Sequence, residues 1–177
     1  MGKLKISTRE EIIKYAELND GTVTDIDKQT EEELIKWFSK NRYLDRKHFL
    51  KLCLWKSKRP RKHYESEINS EQRIKYITEL SISSNDEYLK VESLQLLRGV
   101  SYPVASVILH FAHPKDYTIL DFRAIWSLGW EQPKQYSYEF WQKYIKYVKE
   151  VSSRFKVPLR TLDKALWMYS KLYQKTK

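Results

Sequence analysis

The sequence contains little cysteine, glycine or proline, and each scarcity limits what the protein can be. Among its 177 residues Cys53 is the single cysteine, which excludes an internal disulfide and a cluster held by four cysteines. Four glycines and five prolines provide few breaks in the chain, and this favours helices joined by short connections.

Long apolar runs are also missing. No segment approaches the roughly 18 to 20 consecutive apolar residues of a membrane span. Met1 to Ile6 lack the apolar stretch of a signal peptide. We therefore expect a protein of the reducing cytoplasm that has no membrane partner.

The apolar residues that are present recur at helical spacing along most of the chain, and no stretch alternates as a strand would. Ser7 and Glu10 have the spacing of a capping box. The fold is predicted to be all-α, with nine or ten helices in a single helical domain over residues 1–177; an alternative is two small lobes with a cleft between them. Helices are predicted to start at Ser7, Thr30, Ser70, Asp86, Pro103, Asp121, Ser137 and Arg160, and one around Phe49 to stop before Pro60.

Positive charge dominates, with a net charge of +10. It is densest in residues 40–62, called the basic arm below, where Asp45 is the only acidic residue. A nucleic-acid partner is the first explanation, because Lys and Arg neutralise phosphates; an anionic membrane surface is the second. The cations of the arm are Lys40, Arg42, Arg46, Lys47, Lys51, Lys56, Lys58, Arg59, Arg61 and Lys62.

Residues 97–106, Leu-Arg-Gly-Val-Ser-Tyr-Pro-Val-Ala-Ser, have the pattern of a tight connection between two helices. Gly99 permits a backbone conformation that a side chain opposes. Pro103 suits the first turn of the second helix, where its missing N–H costs least. Free amides at such a helix start can bind a phosphate. The pattern favours a helix-hairpin-helix that contacts a DNA backbone, and an ordinary helix corner is the alternative.

An apolar helix follows this hairpin and leads to Tyr117-Thr118-Ile119-Leu120-Asp121. The order over residues 94–128 resembles the helix-hairpin-helix DNA glycosylase superfamily, the relatives of endonuclease III and adenine glycosylase. Leu97, Gly99, Val100 and Ala105 match the superfamily's hairpin pattern. Asp121 falls where those enzymes keep the catalytic aspartate. The resemblance implies a glycosylase-like helical bundle that acts as a monomer on double-stranded DNA.

Three departures from the superfamily pattern limit the implied chemistry. Ser101 replaces the second hairpin glycine. Pro103 occupies the position of the Schiff-base lysine of bifunctional members, and proline has no primary amine. The cysteines of an iron–sulfur cluster are absent. The resemblance thus implies a divergent small member, a monofunctional glycosylase that leaves an abasic site and uses neither a metal nor a cofactor.

A single carboxylate suits this reaction, because breaking an N-glycosidic bond develops positive charge on the sugar. The same carboxylate can orient or deprotonate the attacking water. Asp121 also has a structural explanation as the N-cap of the following helix. The two roles are compatible.

The remaining site predictions fall on the basic arm and the hairpin. Trp55, Lys56 and Arg59 are predicted to bind the flipped base, with a core tryptophan and a solvated charged face as the alternatives. Arg123 is predicted to pair with Asp163 in a structural role. The predicted DNA-backbone contacts are Gly99, Ser101, Tyr102, Lys58, Arg61 and Lys62.

Which base is excised does not follow from the sequence. Damaged bases in a repair role and modified bases of foreign DNA, such as phage DNA in antiviral defence, are both hypotheses. Two further functions compete with base excision: a non-catalytic helix-hairpin-helix DNA-binding module, which Ser101 and Pro103 favour, and RNA binding by the basic arm.

Overall fold

The computed structural model describes residues 2–175, and within that range it contains helices and no strand, which confirms the all-α prediction. No helix in this range is long and apolar enough to cross a membrane. The ten helices are α1 Arg9–Asp20, α2 Asp25–Phe38, α3 Arg46–Lys56, α4 Arg61–Tyr64, α5 Glu71–Ser83, α6 Glu87–Leu94, α7 Tyr102–Ala112, α8 Phe122–Ser127, α9 Tyr138–Phe155 and α10 Leu159–Tyr173.

The chain forms two compact units, and unit 2 is an insertion in the sequence of unit 1. Unit 1 consists of the described parts of Met1–Val23 and Pro114–Lys177, and unit 2 is Thr24–His113. Unit 1 contains α1 and α8 to α10, and unit 2 contains α2 to α7. The prediction that residues 1–177 form one domain stays a prediction.

Two predicted helix starts are wrong. The capping box of α1 uses Thr8 and Glu11, one residue later than predicted, because the Thr8 hydroxyl accepts from the Glu11 N–H at 3.1 Å. Helix α2 begins at Asp25 rather than near Thr30, because Thr24 caps it by accepting from the Asp27 N–H at 3.1 Å. Thr30 lies inside α2, where its hydroxyl donates to the Ile26 carbonyl.

In unit 1, α1 packs along α10, and α8 packs on α10 as well. The Tyr15 ring meets the Tyr169 ring edge-on, with 5.2 Å between centroids. The hydroxyls of Tyr15 and Tyr173 are 3.3 Å apart. The Ser127 hydroxyl donates to the Leu166 carbonyl at 2.6 Å, so the end of α8 is tied to α10.

In unit 2, α7 is the central helix and contacts α2, α3 and α6. Every residue from Val104 to Phe111 is buried. Most of these residues are apolar, and the two polar ones, Ser106 and His110, are buried as well, as expected of a helix that is surrounded by other helices. The N-terminus of α7 is therefore held firmly at the end of the connection from α6.

Candidate functional site

The connection between α6 and α7, residues 95–101, is called the hairpin below. Gly99 has a φ of +89°, in the left-handed region that disfavours side chains. A Cβ at this position would lie 2.8 Å from Cδ1 of Tyr64 and 2.9 Å from Cβ of His63. Glycine is therefore required both for its backbone angle and for the close approach of α4.

Asn69 joins the hairpin to α4. Its side-chain amide donates to the carbonyls of Tyr64 and Arg98, each at 3.0 Å, and of His63 at 3.2 Å. Its Oδ1 accepts from the Arg98 N–H at 2.8 Å. Asn69 is fully buried, and a buried amide with these partners strongly fixes the geometry around it. Asn69 could not be identified from the sequence, because no local pattern shows that its side chain bonds to a residue 29 positions away.

The first turn of α7 contains Ser101, Tyr102 and Pro103. Ser101 is the exposed N-cap residue, and its side chain makes no capping hydrogen bond. Tyr102 is 7% exposed, and its hydroxyl donates to the carboxylate of Glu92. Burial and the Glu92 carboxylate raise the pKa of Tyr102. The Tyr102 side chain is thus engaged within unit 2, and only the main chain of Tyr102 could make the predicted DNA contact. Pro103 lies in the first turn of α7, where it was predicted.

The middle of the basic arm differs from its ends. Lys40 and Arg42 at its start are exposed and form no ion pair among the described residues. In its middle, Lys47 and Lys51 pair with Glu33, and Arg46 donates to the Asn69 carbonyl at 2.6 Å. These cations are committed to contacts within unit 2. At its end, Lys58, Arg59 and Lys62 are exposed around α4. Arg61 is exposed too, but its Nε donates to the Glu65 carboxylate at 2.7 Å.

Trp55 and Lys56 form the last turn of α3, and both are half-buried. The Trp55 ring meets the Phe111 ring of α7 edge-on, with 5.7 Å between centroids. Trp55 therefore contributes to the packing of α3 on α7 and also keeps an accessible part. Arg59 lies between α3 and α4 and is exposed.

Asp121 lies in unit 1 and is the N-cap of α8, as its structural explanation predicts. Its Oδ1 accepts from the Arg123 N–H at 3.0 Å, and its side chain is half-buried. One oxygen thus has a fixed backbone donor, and this hydrogen bond orients the carboxylate group. Asp121 as a residue remains partly exposed to solvent.

The four residues that precede Asp121 are all buried. The Tyr117 ring stacks on the Trp141 ring of α9 with 5.9 Å between centroids and 16° between planes. The Tyr144 hydroxyl, also from α9, donates to the Ile119 carbonyl at 2.8 Å. Helix α9 therefore holds the backbone two residues before Asp121. Burial raises the pKa of Tyr144 well above its usual range, and the charges of Asp163 and Asp121 add to this rise.

The negative charge of Asp121 acts on Tyr136, a residue that no sequence pattern indicates. Its hydroxyl accepts from Gln132 Nε2 at 2.7 Å. Burial is the main cause that raises its pKa, the Gln132 hydrogen bond opposes this, and the Asp121 charge adds to it. Tyr136 lies in the loop between α8 and α9, whose Trp130 N–H donates to the Ile125 carbonyl of α8 at 3.1 Å.

The predicted pair of Arg123 and Asp163 is not formed. Asp163 is almost fully buried and pairs with Arg160 one turn earlier in α10. The Arg123 guanidinium lies over the Trp167 ring, 5.4 Å from its centroid. Spacing along α10 favours the local partner, because residues three apart share a helix face. Between residues 2 and 175, no three His, Cys, Asp or Glu side chains are grouped to hold a metal ion.

Together these features define a class of fold: an all-helical protein that has a glycine hairpin in one unit and a capping aspartate after a buried segment in the other. The overall fold is similar to that of a solved structure of a DNA glycosylase/lyase. The 8-oxoguanine glycosylase/lyase of Methanocaldococcus jannaschii, crystallised with a 15-mer DNA that contains 8-oxoguanine, matches this chain with a TM-score of 0.52 and 20% sequence identity. The match covers 98% of this chain and 86% of that chain. At this identity the likeness establishes the fold.

The same comparison supports the fold class predicted from the hairpin and Asp121. No family model matches the sequence, and no curated protein matches it. The roles of the site residues therefore rest on their geometry.

Proposed function

We propose that this protein is a DNA glycosylase that hydrolyses the N-glycosidic bond of a flipped base. The observation that carries the proposal is Asp121, a half-buried carboxylate oriented by the Arg123 amide and held by a buried approach segment. It occurs in a chain whose fold matches that of a DNA glycosylase/lyase.

Asp121 supplies a fixed negative charge beside the sugar. The C1′–N bond breaks with its electron pair leaving on the base, and positive charge develops on the sugar ring. An oriented anion stabilises this charge where water is largely excluded. A water molecule then adds to C1′ and passes a proton to the Asp121 carboxylate. The departed base anion takes up a proton from solvent and Asp121 returns its proton to solvent, so the net reaction consumes one water molecule. Flipping the base from the stack costs a few kcal/mol, which contacts in a pocket offset.

Pro103 supports hydrolysis without strand cleavage. A lyase step needs a primary amine to form a Schiff base with C1′ of the sugar. Proline in the first turn of α7 supplies none. The proposed product is therefore an abasic site in an uncut strand, and no metal or cofactor enters the reaction.

The proposed partner is double-stranded DNA, bound by a monomer. Gly99, Ser101 and Tyr102 contact its backbone through the hairpin, whose turn depends on the positive φ of Gly99. Lys58, Arg61 and Lys62 add positive charge from the basic arm, although Arg61 is already engaged by Glu65. Phosphate contacts of this kind position a protein without reading the base sequence.

Trp55, Lys56 and Arg59 are proposed to bind the excised base or its substituents. The accessible part of the half-buried Trp55 ring offers a surface for stacking. The base is a damaged one in a repair role or a modified one in foreign DNA, such as phage DNA. Incubating the protein with normal, damaged and phage-modified DNA and identifying the released bases by mass spectrometry distinguishes these roles.

Asp121→Asn tests the reaction. Asparagine keeps an oxygen that can accept from the Arg123 N–H, so the cap persists while the charge is lost. We expect base release in a single turnover to fall by at least about 10²-fold, the size typical of losing one electrostatic group in a site. Alkali-labile sites on a gel measure the reaction.

Asp86→Asn is the matched control, because Asp86 caps α6 in the same way by accepting from the Leu89 N–H. It should release bases at the wild-type rate. Unchanged activity in Asp121→Asn would exclude the proposed role of Asp121.

A non-catalytic DNA-binding module is the second candidate. The observation that favours it is the capping hydrogen bond of Asp121, which gives this residue a purpose without any reaction. Such a module binds DNA and creates no alkali-labile sites in any substrate. A third candidate, an RNA-binding protein, predicts tight RNA binding and no base release.

A further inference from the structure

The hairpin and α4 are held together by one buried side chain. Asn69 donates to backbone carbonyls at the end of α4 and at Arg98, and it accepts from the Arg98 N–H. The Asn69 carbonyl in turn accepts from Arg46 of α3. Three segments that are distant in sequence are thus fixed to one residue.

The contact between α4 and the hairpin is close. A Cβ at Gly99 would lie 2.9 Å from the Cβ of His63, so the two chain segments touch at this point. Lys62 and Arg98 directly precede these two residues in the sequence. Two exposed cations therefore flank the contact, one from each segment.

The cations around this contact have no acidic partner. Within residues 2–175, Lys58, Arg59, Lys62 and Arg98 are exposed and form no ion pair. Elsewhere in the arm, Lys47 and Lys51 pair with Glu33 and Arg61 pairs with Glu65. Among the described residues Lys40 and Arg42 are also exposed without an ion pair. Unpaired positive charge beside a hairpin with a close backbone turn is complementary to a phosphate backbone.

We infer that the hairpin and the Lys58–Lys62 end of the basic arm form one preassembled surface for the backbone of duplex DNA, in which Arg98 is an additional phosphate contact and Asn69 is the positioning residue. This inference rests on the proposed DNA-binding function and deepens it. A surface that is ordered before binding loses less conformational freedom when DNA arrives.

Salt-dependent binding to an undamaged DNA duplex tests the surface. Each phosphate contact that is lost should reduce the slope of the logarithm of the binding constant against the logarithm of salt concentration by about 1. We expect this change in Lys62→Ala and in Arg98→Ala, and a change of about 2 in the double variant. Lys28→Ala, which removes an exposed cation of α2, is the control and should leave the slope unchanged.

Asn69→Ala tests the positioning role. The four cations remain, but the connection between α4 and the hairpin is lost, and we expect about tenfold weaker binding with melting still cooperative. Faster amide hydrogen exchange at Arg98 would report the lost hydrogen bond. If Asn69→Ala does not fold, the inference is tested by the salt-dependence slopes of Lys62→Ala and Arg98→Ala.

Two outcomes would overturn the inference, and a third would refute only the proposed reaction. If Lys62→Ala and Arg98→Ala both behave like Lys28→Ala, the two segments do not form a DNA surface. If the wild type binds a single-stranded RNA more tightly than the DNA duplex, the partner is wrong. Failure of the wild type to release any base, with the expected slopes, refutes the proposed reaction and leaves the surface intact.

Discussion

Tyr136 shows how the surroundings of Asp121 depend on residues outside the hairpin pattern. Gln132 donates to the Tyr136 hydroxyl oxygen, which leaves the hydroxyl proton available for another acceptor. The loop that holds Tyr136 is attached to α8 through the Trp130 N–H. This hydrogen bond holds the loop that contains Tyr136 to α8, the helix that Asp121 caps.

The titration of Tyr136 should respond to Asp121. The negative charge of Asp121 opposes formation of the phenolate, so Asp121→Asn should lower the pKa of Tyr136. The value should stay above the ordinary 10.0, because burial is the larger cause. NMR of isotope-labelled tyrosine as a function of pH measures this. The midpoint of Tyr15, which is set mainly by Tyr173, should not move; an unchanged Tyr136 midpoint would contradict the proximity.

Individual residues also mark the limit of prediction from sequence. The cap role of Asp121 could be predicted, because aspartate before an apolar helix satisfies local amides. The roles of Asn69 and Tyr136 could not, since each depends on a segment that only the fold brings close. The predicted partner of Asp163 was wrong for the opposite reason: a local partner, Arg160, was available and was overlooked.

At the scale of elements, strongly periodic helices could be predicted and weakly patterned ones could not. The first turn of α2 contains Asp25, Ile26 and Asp27, and Ile26 is 75% exposed. Its apolar residue thus faces solvent, and the start of α2 is defined by its cap rather than by periodicity. Helix α4 has four residues, too few to show a period at all.

The contact between α1 and α10 should make stability depend on alkaline pH. The hydrogen bond with Tyr173 and burial raise the pKa of Tyr15 to about 12. In the unfolded chain the pKa is close to the ordinary 10.0. Because folding favours the neutral phenol, this stabilisation is complete below pH 10 and is lost as the pH rises toward 12.

Urea unfolding at a series of alkaline pH values measures that loss. Tyr15→Phe should be less stable than the wild type near neutral pH, and its stability should fall less steeply above pH 10. Tyr76→Phe, at a residue that is 70% exposed, serves as the control. An equally steep fall in Tyr15→Phe would show that other groups dominate the alkaline transition.

At the scale of the whole molecule, the net charge of +10 should oppose the compact state. Moderate NaCl screens this repulsion, so we expect the Tm to rise between low salt and about 0.15 M salt. Replacing the exposed Lys28 and Lys146 by Glu lowers the net charge and should reduce the rise. Differential scanning calorimetry measures both proteins, and a Tm that falls with salt would show that attractive ion pairs outweigh the repulsion.

The pairing of α1 with α10 has a consequence for synthesis on the ribosome. Helix α1 leaves the ribosome before its packing partner α10, with all of unit 2 between them. The apolar face of α1, which includes the buried Ile12 and Ala16, therefore lacks this partner until α10 appears. Unit 2 is continuous in sequence and can collapse early, whereas unit 1 must close the longest loop in the chain. The nascent protein should thus depend on chaperones through α1, the segment that waits longest for its partner.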